Sequence, residues 1–191
     1  KLQGTISRQP LIYQTTRGCP YGCRFCFVAF YYKRRWRIRK PELIEAELQR
    51  IMDFGVDSTF FVDDNIGPSK KHLLSVCDIT QRLGLKWGTD IRVDHLSEDI
   101  MEPLVKGNCD YLLFGLESGS NEMLKYIDKS STVATWKKGI DLMARHHITG
   151  MYSFIFGFPK ETADHRTSTF EMIDYIRAHH KESTILVQIF T

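Results

Sequence analysis

The stretch STFFVDDNIGPSKKHLLSVCDITQRLGLKWGTDIR, residues 58–92, decides the fold class. It opens on a short run, STFFVDD (58–64), rich in β-branched and aromatic residues. A helical pattern follows over 69–83 and stops at Gly84, and a second such run, LKWGTDIR (85–92), comes after it. The runs are nearly continuous in hydrophobicity rather than alternating, which suits strands buried on both faces, as in a parallel sheet. Strand, helix and strand in this order make a βαβ unit with a right-handed crossover.

Outward from this unit the pattern repeats. LIYQTT (11–16), DYLLFGLE (110–117), GMYSFIFG (150–157) and TILVQIF (184–190) read as further strands. Helices are predicted over 41–54, 97–106, 132–146 and 162–180. In the first, Pro41 suits the opening turn, and Leu43, Ile44, Leu48, Ile51 and Met52 share a face. Ser97 is placed as an N-cap, with Glu98 and Asp99 in the first turn. Val133, Trp136, Ile140 and Met143 form the buried stripe of the fourth helix, and Phe170, Ile173 and Ile176 that of the fifth. Gly55, Gly84 and Gly107 mark helix ends. Six strands alternating with five helices predict an α/β fold with a parallel sheet. An open doubly wound sheet and a curved partial barrel both satisfy the pattern. Each strand also ends on something chemically notable: Arg17–Gly18–Cys19, Asp63–Asp64–Asn65, Asp90 and Arg92, Glu117–Ser118, and Gly157. Polar groups gathered at the C-terminal ends of parallel strands are how a βα-barrel builds its mouth.

The chain has 191 residues, 42% hydrophobic and 26% charged, the composition of one globular domain. We expect residues 1–191 to form a single core domain that is a piece of a longer polypeptide. No run of eighteen apolar residues occurs, so no membrane span is expected. The opening KLQGTISRQP shows no apolar leader, which points to the cytoplasm. Net charge is +3 but uneven, with eleven Lys/Arg against three Asp/Glu in residues 1–50. The excess centres on KRRWRIRK (33–40). Such a run, with Trp36 as a stacking surface, could grip nucleic acid; a solvated basic loop is the plainer reading, and no nucleic-acid partner is expected.

Five cysteines are present. Cys77 and Cys109 stand alone and read as small buried hydrophobes. Cys19, Cys23 and Cys26 crowd into RGCPYGCRFCF (17–27) with C-x3-C-x2-C spacing. A structural zinc site wants four ligands, and no other Cys or His lies between Lys1 and Lys71. A redox pair at Cys23 and Cys26 would leave Cys19 unused. Three thiolates on an iron–sulfur cube would leave one iron open to a substrate. The seven histidines show no ligand spacing, and none is assigned to a metal.

This triplet, with the aromatic Phe25 before its last cysteine and placed just after the first strand of a βα repeat, resembles the signature of the radical S-adenosylmethionine (SAM) superfamily. The resemblance implies a partial (β/α)6 TIM-like barrel. It implies that Cys19, Cys23 and Cys26 ligate a [4Fe-4S] cluster, that the open iron chelates SAM, and that reduction splits SAM to a 5′-deoxyadenosyl radical. By the same likeness, Asp63 or Asp64 of VDDN would meet the SAM amino group and Arg92 its carboxylate. Glu117 and Ser118 of GLESGS would meet the ribose or carboxylate, and Gly157 of FIFGFPKET would let the backbone approach the adenine. Turn, cap and surface ion-pair roles suit Asp64, Ser118 and Arg92 as well. The further stretches RIRKPELIEAEL, FFVDDN, GLES and FGFPKET resemble the branch that carries a cobalamin domain, which includes radical methyltransferases and the anaerobic Mg-porphyrin oxidative cyclase. That likeness implies a small-molecule substrate, an electron donor such as flavodoxin or ferredoxin, and cobalamin held outside this chain. A tRNA methylthiotransferase-like enzyme and a zinc-stabilised nucleic-acid-binding module are the alternatives. The oligomeric state is not legible.

Overall fold

A computed structural model of the chain describes residues 11–191. The opening stretch 1–10, on which the expectation about a leader rests, lies outside the described residues. Six strands form one parallel sheet: β1 (Leu11–Tyr13), β4 (Ser58–Phe61), β5 (Lys86–Asp90), β6 (Cys109–Glu117), β7 (Thr149–Phe156) and β8 (Ser183–Ile189). They lie side by side in chain order, and every neighbouring pair is parallel. A doubly wound sheet must reverse its strand order somewhere. Unbroken sequential order with right-handed crossovers puts the helices on one face, which is the partial-barrel arrangement.

The crossover helices are α2 (Pro41–Asp53), α3 (Lys70–Leu83), α4 (Glu98–Lys106), α6 (Val133–Arg145) and α7 (Ala163–His179). Three begin on hydroxyl caps: Ser69 accepts from the His72 amide, Thr132 from Thr135 and Thr162 from His165. Ser97 stands at the N-cap of α4, but its hydroxyl donates to Asp99 instead of accepting from the helix. Gly84 ends α3 in the left-handed conformation. The core contains Phe61, Trp87, Phe114, Trp136, Tyr152 and Phe154, all fully buried. Each such side chain contributes roughly 2–3 kcal/mol of burial. Two residues expected inside are outside: Leu43 is 52% and Phe170 57% exposed. The stripe of α7 runs through Thr169, Met172, Ile173 and Ile176, and Phe170 is one residue off it.

The first predicted strand, 11–16, is in fact two pieces. β1 stops at Tyr13, and the chain turns out of the sheet into β2 (Thr16–Gly18), which pairs antiparallel with β3 (Trp36–Ile38). A short helix, α1 (Phe27–Tyr31), lies between β2 and β3. A second, α5 (Asn121–Tyr126), follows β6. The hairpin and both short helices carry no periodicity long enough to announce them. The hairpin hangs the thiol-bearing loop over the C-terminal ends of the sheet. Among the described residues, no helix is long and apolar enough to cross a membrane.

Candidate cofactor-binding site

A cavity of about 290 Å³ opens at the C-terminal ends of the strands, with Cys19, Cys23 and Cys26 all on its lining. The loop that carries them is short and tightly held. Gly18 has φ +87°, and a Cβ there would lie 2.1 Å from the Arg35 carbonyl oxygen, so only glycine fits. The Arg24 amide donates to the Ile127 carbonyl (2.9 Å), tying the loop to the end of α5. Cys26 stands at the N-cap position of α1 without a side-chain capping bond, and its amide donates to the Cys23 carbonyl (3.1 Å). Cys77 and Cys109 are buried far down in the core, as expected, and burial pushes the Cys77 thiol up to about 12.

Cationic and polar donors face the thiols. Burial raises the Cys23 thiol, and the nearby charges of Lys129 and Arg92 oppose that rise. Burial likewise raises Cys19, opposed by the Tyr21 amide and the Asn65 side chain. Arg92 is buried and largely spoken for. Its guanidinium donates to both Asp94 carboxylate oxygens (3.0 and 2.7 Å) and to the Lys129 carbonyl (2.6 Å). It stacks 3.9 Å from the Tyr21 ring centroid, and its remaining Nη1 is 4.0 Å from Cys23 Sγ.

On the far wall, Glu117 stands at the end of β6 with φ +71°. The register with β7 shifts between Gly115 and Glu117, turning this side chain into the cavity. A Cβ on Gly115 would lie 2.3 Å from Glu117 Oε1, so the glycine makes room for the carboxylate. Lys129 Nζ donates to that oxygen at 3.0 Å. Asp90 also lines the cavity, and its carboxyl rises to about 6, first because it is buried and then because Asp63 and Asp64 are near. Phe25 lines the cavity and packs 5.5 Å, centroid to centroid, from Phe158.

The expected site residues thus divide. Cys19, Cys23, Cys26, Phe25, Asp64, Arg92 and Glu117 share the cavity lining; Asp63, Ser118 and Gly157 are not on it. Asp63 is buried against Thr15 and Thr16. Ser118 is buried against Thr169 (3.3 Å). The Gly157 amide donates to Glu161 (2.9 Å). Lys129, Tyr21 and Asn65 are cavity residues the expected set omits. Lys129 had no signal, standing in a polar loop; Asn65 and Asp90 had one, as polar residues at strand ends.

The donor set suits a multinuclear iron–sulfur group. The three thiols are unpaired and share one cavity. Thiolate is the ligand type an iron–sulfur cluster takes, and the charges of Lys129 and Arg92 beside Cys23 offset thiolate charge.

The sequence profile described as "Radical SAM superfamily" matches residues 13–173. The chain belongs to the radical SAM superfamily. It is similar to an uncharacterized methyltransferase of Pyrococcus horikoshii, 27% identical over 177 residues that cover 91% of this chain and 39% of that protein. It is also similar to the anaerobic magnesium-protoporphyrin IX monomethyl ester cyclase of Rubrivivax gelatinosus, 28% identical over 87% of this chain and 31% of that one. Among solved structures it matches the radical SAM methyltransferase TsrM of Kitasatospora setae, described with cobalamin and a [4Fe-4S] cluster bound. The TM-score is 0.79 at 16% identity, covering 93% of this chain and 36% of that one. The chain therefore spans about a third to two fifths of these relatives. As a radical SAM protein it is of an enzyme type, and the family implies a [4Fe-4S] cluster and SAM. Family membership sets aside the zinc-stabilised nucleic-acid module.

Proposed function

We propose that Cys19, Cys23 and Cys26 ligate the [4Fe-4S] cluster, that SAM occupies the adjoining cavity, and that the chain is the core of an enzyme modifying a small molecule by methyl transfer or oxidative cyclisation. The carrying observation is that all three thiols line one cavity together with acidic and cationic side chains from the ends of β4, β5 and β6. When bound, the reduced cluster supplies the electron that splits SAM to a 5′-deoxyadenosyl radical. The chain's own residues supply binding and charge. Arg92 sits on the Cys23 side and stabilises the thiolate there. Glu117 and Lys129 offer an acceptor and a donor, the complementary pair that an α-amino acid and ribose hydroxyls require. Arg92 is held by Asp94 and Lys129 by Glu117, so either cation would meet a ligand carboxylate only by sharing its present partner.

The methyltransferase and cyclase relatives support the cobalamin-linked branch over a tRNA methylthiotransferase. No cavity residue of this chain is assigned to cobalamin. The electron comes from a one-electron donor such as flavodoxin or ferredoxin. The test is anaerobic reconstitution with iron and sulfide. We expect about four irons per chain, none in a Cys19/Cys23/Cys26→Ala triple variant, and 5′-deoxyadenosine plus methionine on reduction with SAM. A chain that takes up no cluster, or holds one and never cleaves SAM, ends this reading.

A further inference from the structure

Asp63, Asp64 and Asn65 lie just past the end of β4, after Val62, and all three reach toward the segment that leads into the thiol loop. Asp63 Oδ1 accepts from the amides of Thr15 (2.8 Å) and Thr16 (2.5 Å), and its Oδ2 accepts from the Thr15 hydroxyl (2.6 Å). The Thr15 hydroxyl in turn lies 3.1 Å from His72 Nε2 on α3. Asp64 Oδ2 accepts from the Gly18 amide (2.7 Å). The Asn65 carbonyl accepts from the Trp36 indole (3.0 Å) in β3, and its Nδ2 is 3.9 Å from Cys19 Sγ.

These contacts form one pattern. Of the amides from Thr15 to Gly18, three end on two carboxylates at a single strand end. Asp63 is 1% exposed, takes three donors from Thr15 and Thr16, and is not on the cavity lining, so its carboxylate serves the backbone and not a ligand. Hydrogen bonds to an ionised acceptor are the strong kind, and removing this one would strand buried donors. The order of residue types also fits the chemistry. The two acceptors hold backbone N–H groups, while the residue whose side chain lies nearest a thiol is a neutral amide that can donate to sulfur.

We infer that Asp63, Asp64 and Asn65 are positioning residues that clamp Thr15–Cys19 and hold the thiol loop in its binding shape before any cofactor arrives. The purpose of the clamp rests on the cluster reading above; its existence does not. It sets this chain apart from small metal domains in which the ligand loop folds only on metal binding.

The test uses the cofactor-free chain and amide hydrogen exchange resolved by residue. In the unsubstituted protein the Thr15, Thr16 and Gly18 amides are protected. Asp63→Ala raises exchange at Thr15 and Thr16 by at least about tenfold, while core amides of β6 keep their protection. Asp63→Asn, which retains an oxygen acceptor, restores much of it. Asp64→Ala, a milder change at a partly exposed site, frees Gly18 alone and stands in if Asp63→Ala does not fold. After reconstitution, Asn65→Leu keeps its iron but changes the electron paramagnetic resonance signal of the reduced cluster. Unchanged exchange at Thr15 and Thr16 in Asp63→Ala, or at Gly18 in Asp64→Ala, overturns the clamp. An unsubstituted chain that binds no iron sinks the cluster reading instead, and the exchange result still decides the clamp.

Discussion

Lys129 Nζ lies 3.0 Å from Glu117 Oε1, with both side chains less than a tenth exposed at the cavity wall. A buried pair adds little net stability when whole, but removing one partner strands the other. Lys129→Met should therefore cost about 3 kcal/mol, while Lys129→Met combined with Glu117→Gln should recover most of that loss. Denaturant titration of the three variants reads the coupling. A neutral Lys129→Met would mean that water already screens Glu117.

Two groups pull the pH dependence of stability in opposite directions. Asp90 rises from 3.8 to about 6, chiefly by burial, so the folded state holds its proton more tightly than the unfolded one. Its contribution falls as pH climbs from about 4 to about 6 and stays unfavourable above. His72 drops from 6.5 to about 4 because it is buried, so its contribution is complete above 6.5 and is lost as pH falls toward 4. Asp90→Asn should raise stability at pH 7 by up to about 3 kcal/mol, change little at pH 4, and unmask the His72 slope. Urea melts at stepped pH values measure both. An Asp90→Asn curve parallel to the parent's across this range contradicts the assignment.

Gly18 and Gly55 both have positive φ, +87° and +84°, but only Gly18 is crowded. A Cβ on Gly55 meets nothing within 4 Å. Gly55→Ala should cost about 1–2 kcal/mol in backbone strain alone. Gly18→Ala should cost more and displace the thiol loop, so iron uptake falls with it. Thermal melts and iron analysis of the pair test this, and equal effects on iron uptake would refute it.

Ser118 packs away from the cavity. Its hydroxyl lies 3.3 Å from Thr169 Oγ1 and accepts from the Ser120 amide at 3.3 Å. Ser118→Ala should cost about 1 kcal/mol of stability and leave SAM affinity as it was. Calorimetric titration of the reconstituted variant with SAM gives the answer. A large loss of affinity at unchanged stability would place Ser118 in the site.

The parts of this protein that could be read from its residues are the parts with local causes. The βαβ run at 58–92 predicted two neighbouring parallel strands, and β4 and β5 are those strands. The first strand was read too long because the β-branched pair Thr15–Thr16 follows Tyr13 closely and favours extended backbone. The chain leaves the sheet there because Asp63, 47 and 48 positions away, takes the amides of Thr16 and Thr15. Nothing near Thr15 in sequence says so. Lys129 was invisible for the same reason: α5 folds back after Glu117 and delivers it to the cavity.

Taken alone, the residue order determined a parallel α/β chain and a triad of thiols in one loop, since periodicity and ligand spacing are short-range properties. Tertiary structure decided that the sheet is singly wound. It also decided which strand-end groups enter the cavity and which brace the backbone. A side chain's direction there depends on where its strand stops and on what distant donors it meets, and neither is set by its neighbours in sequence.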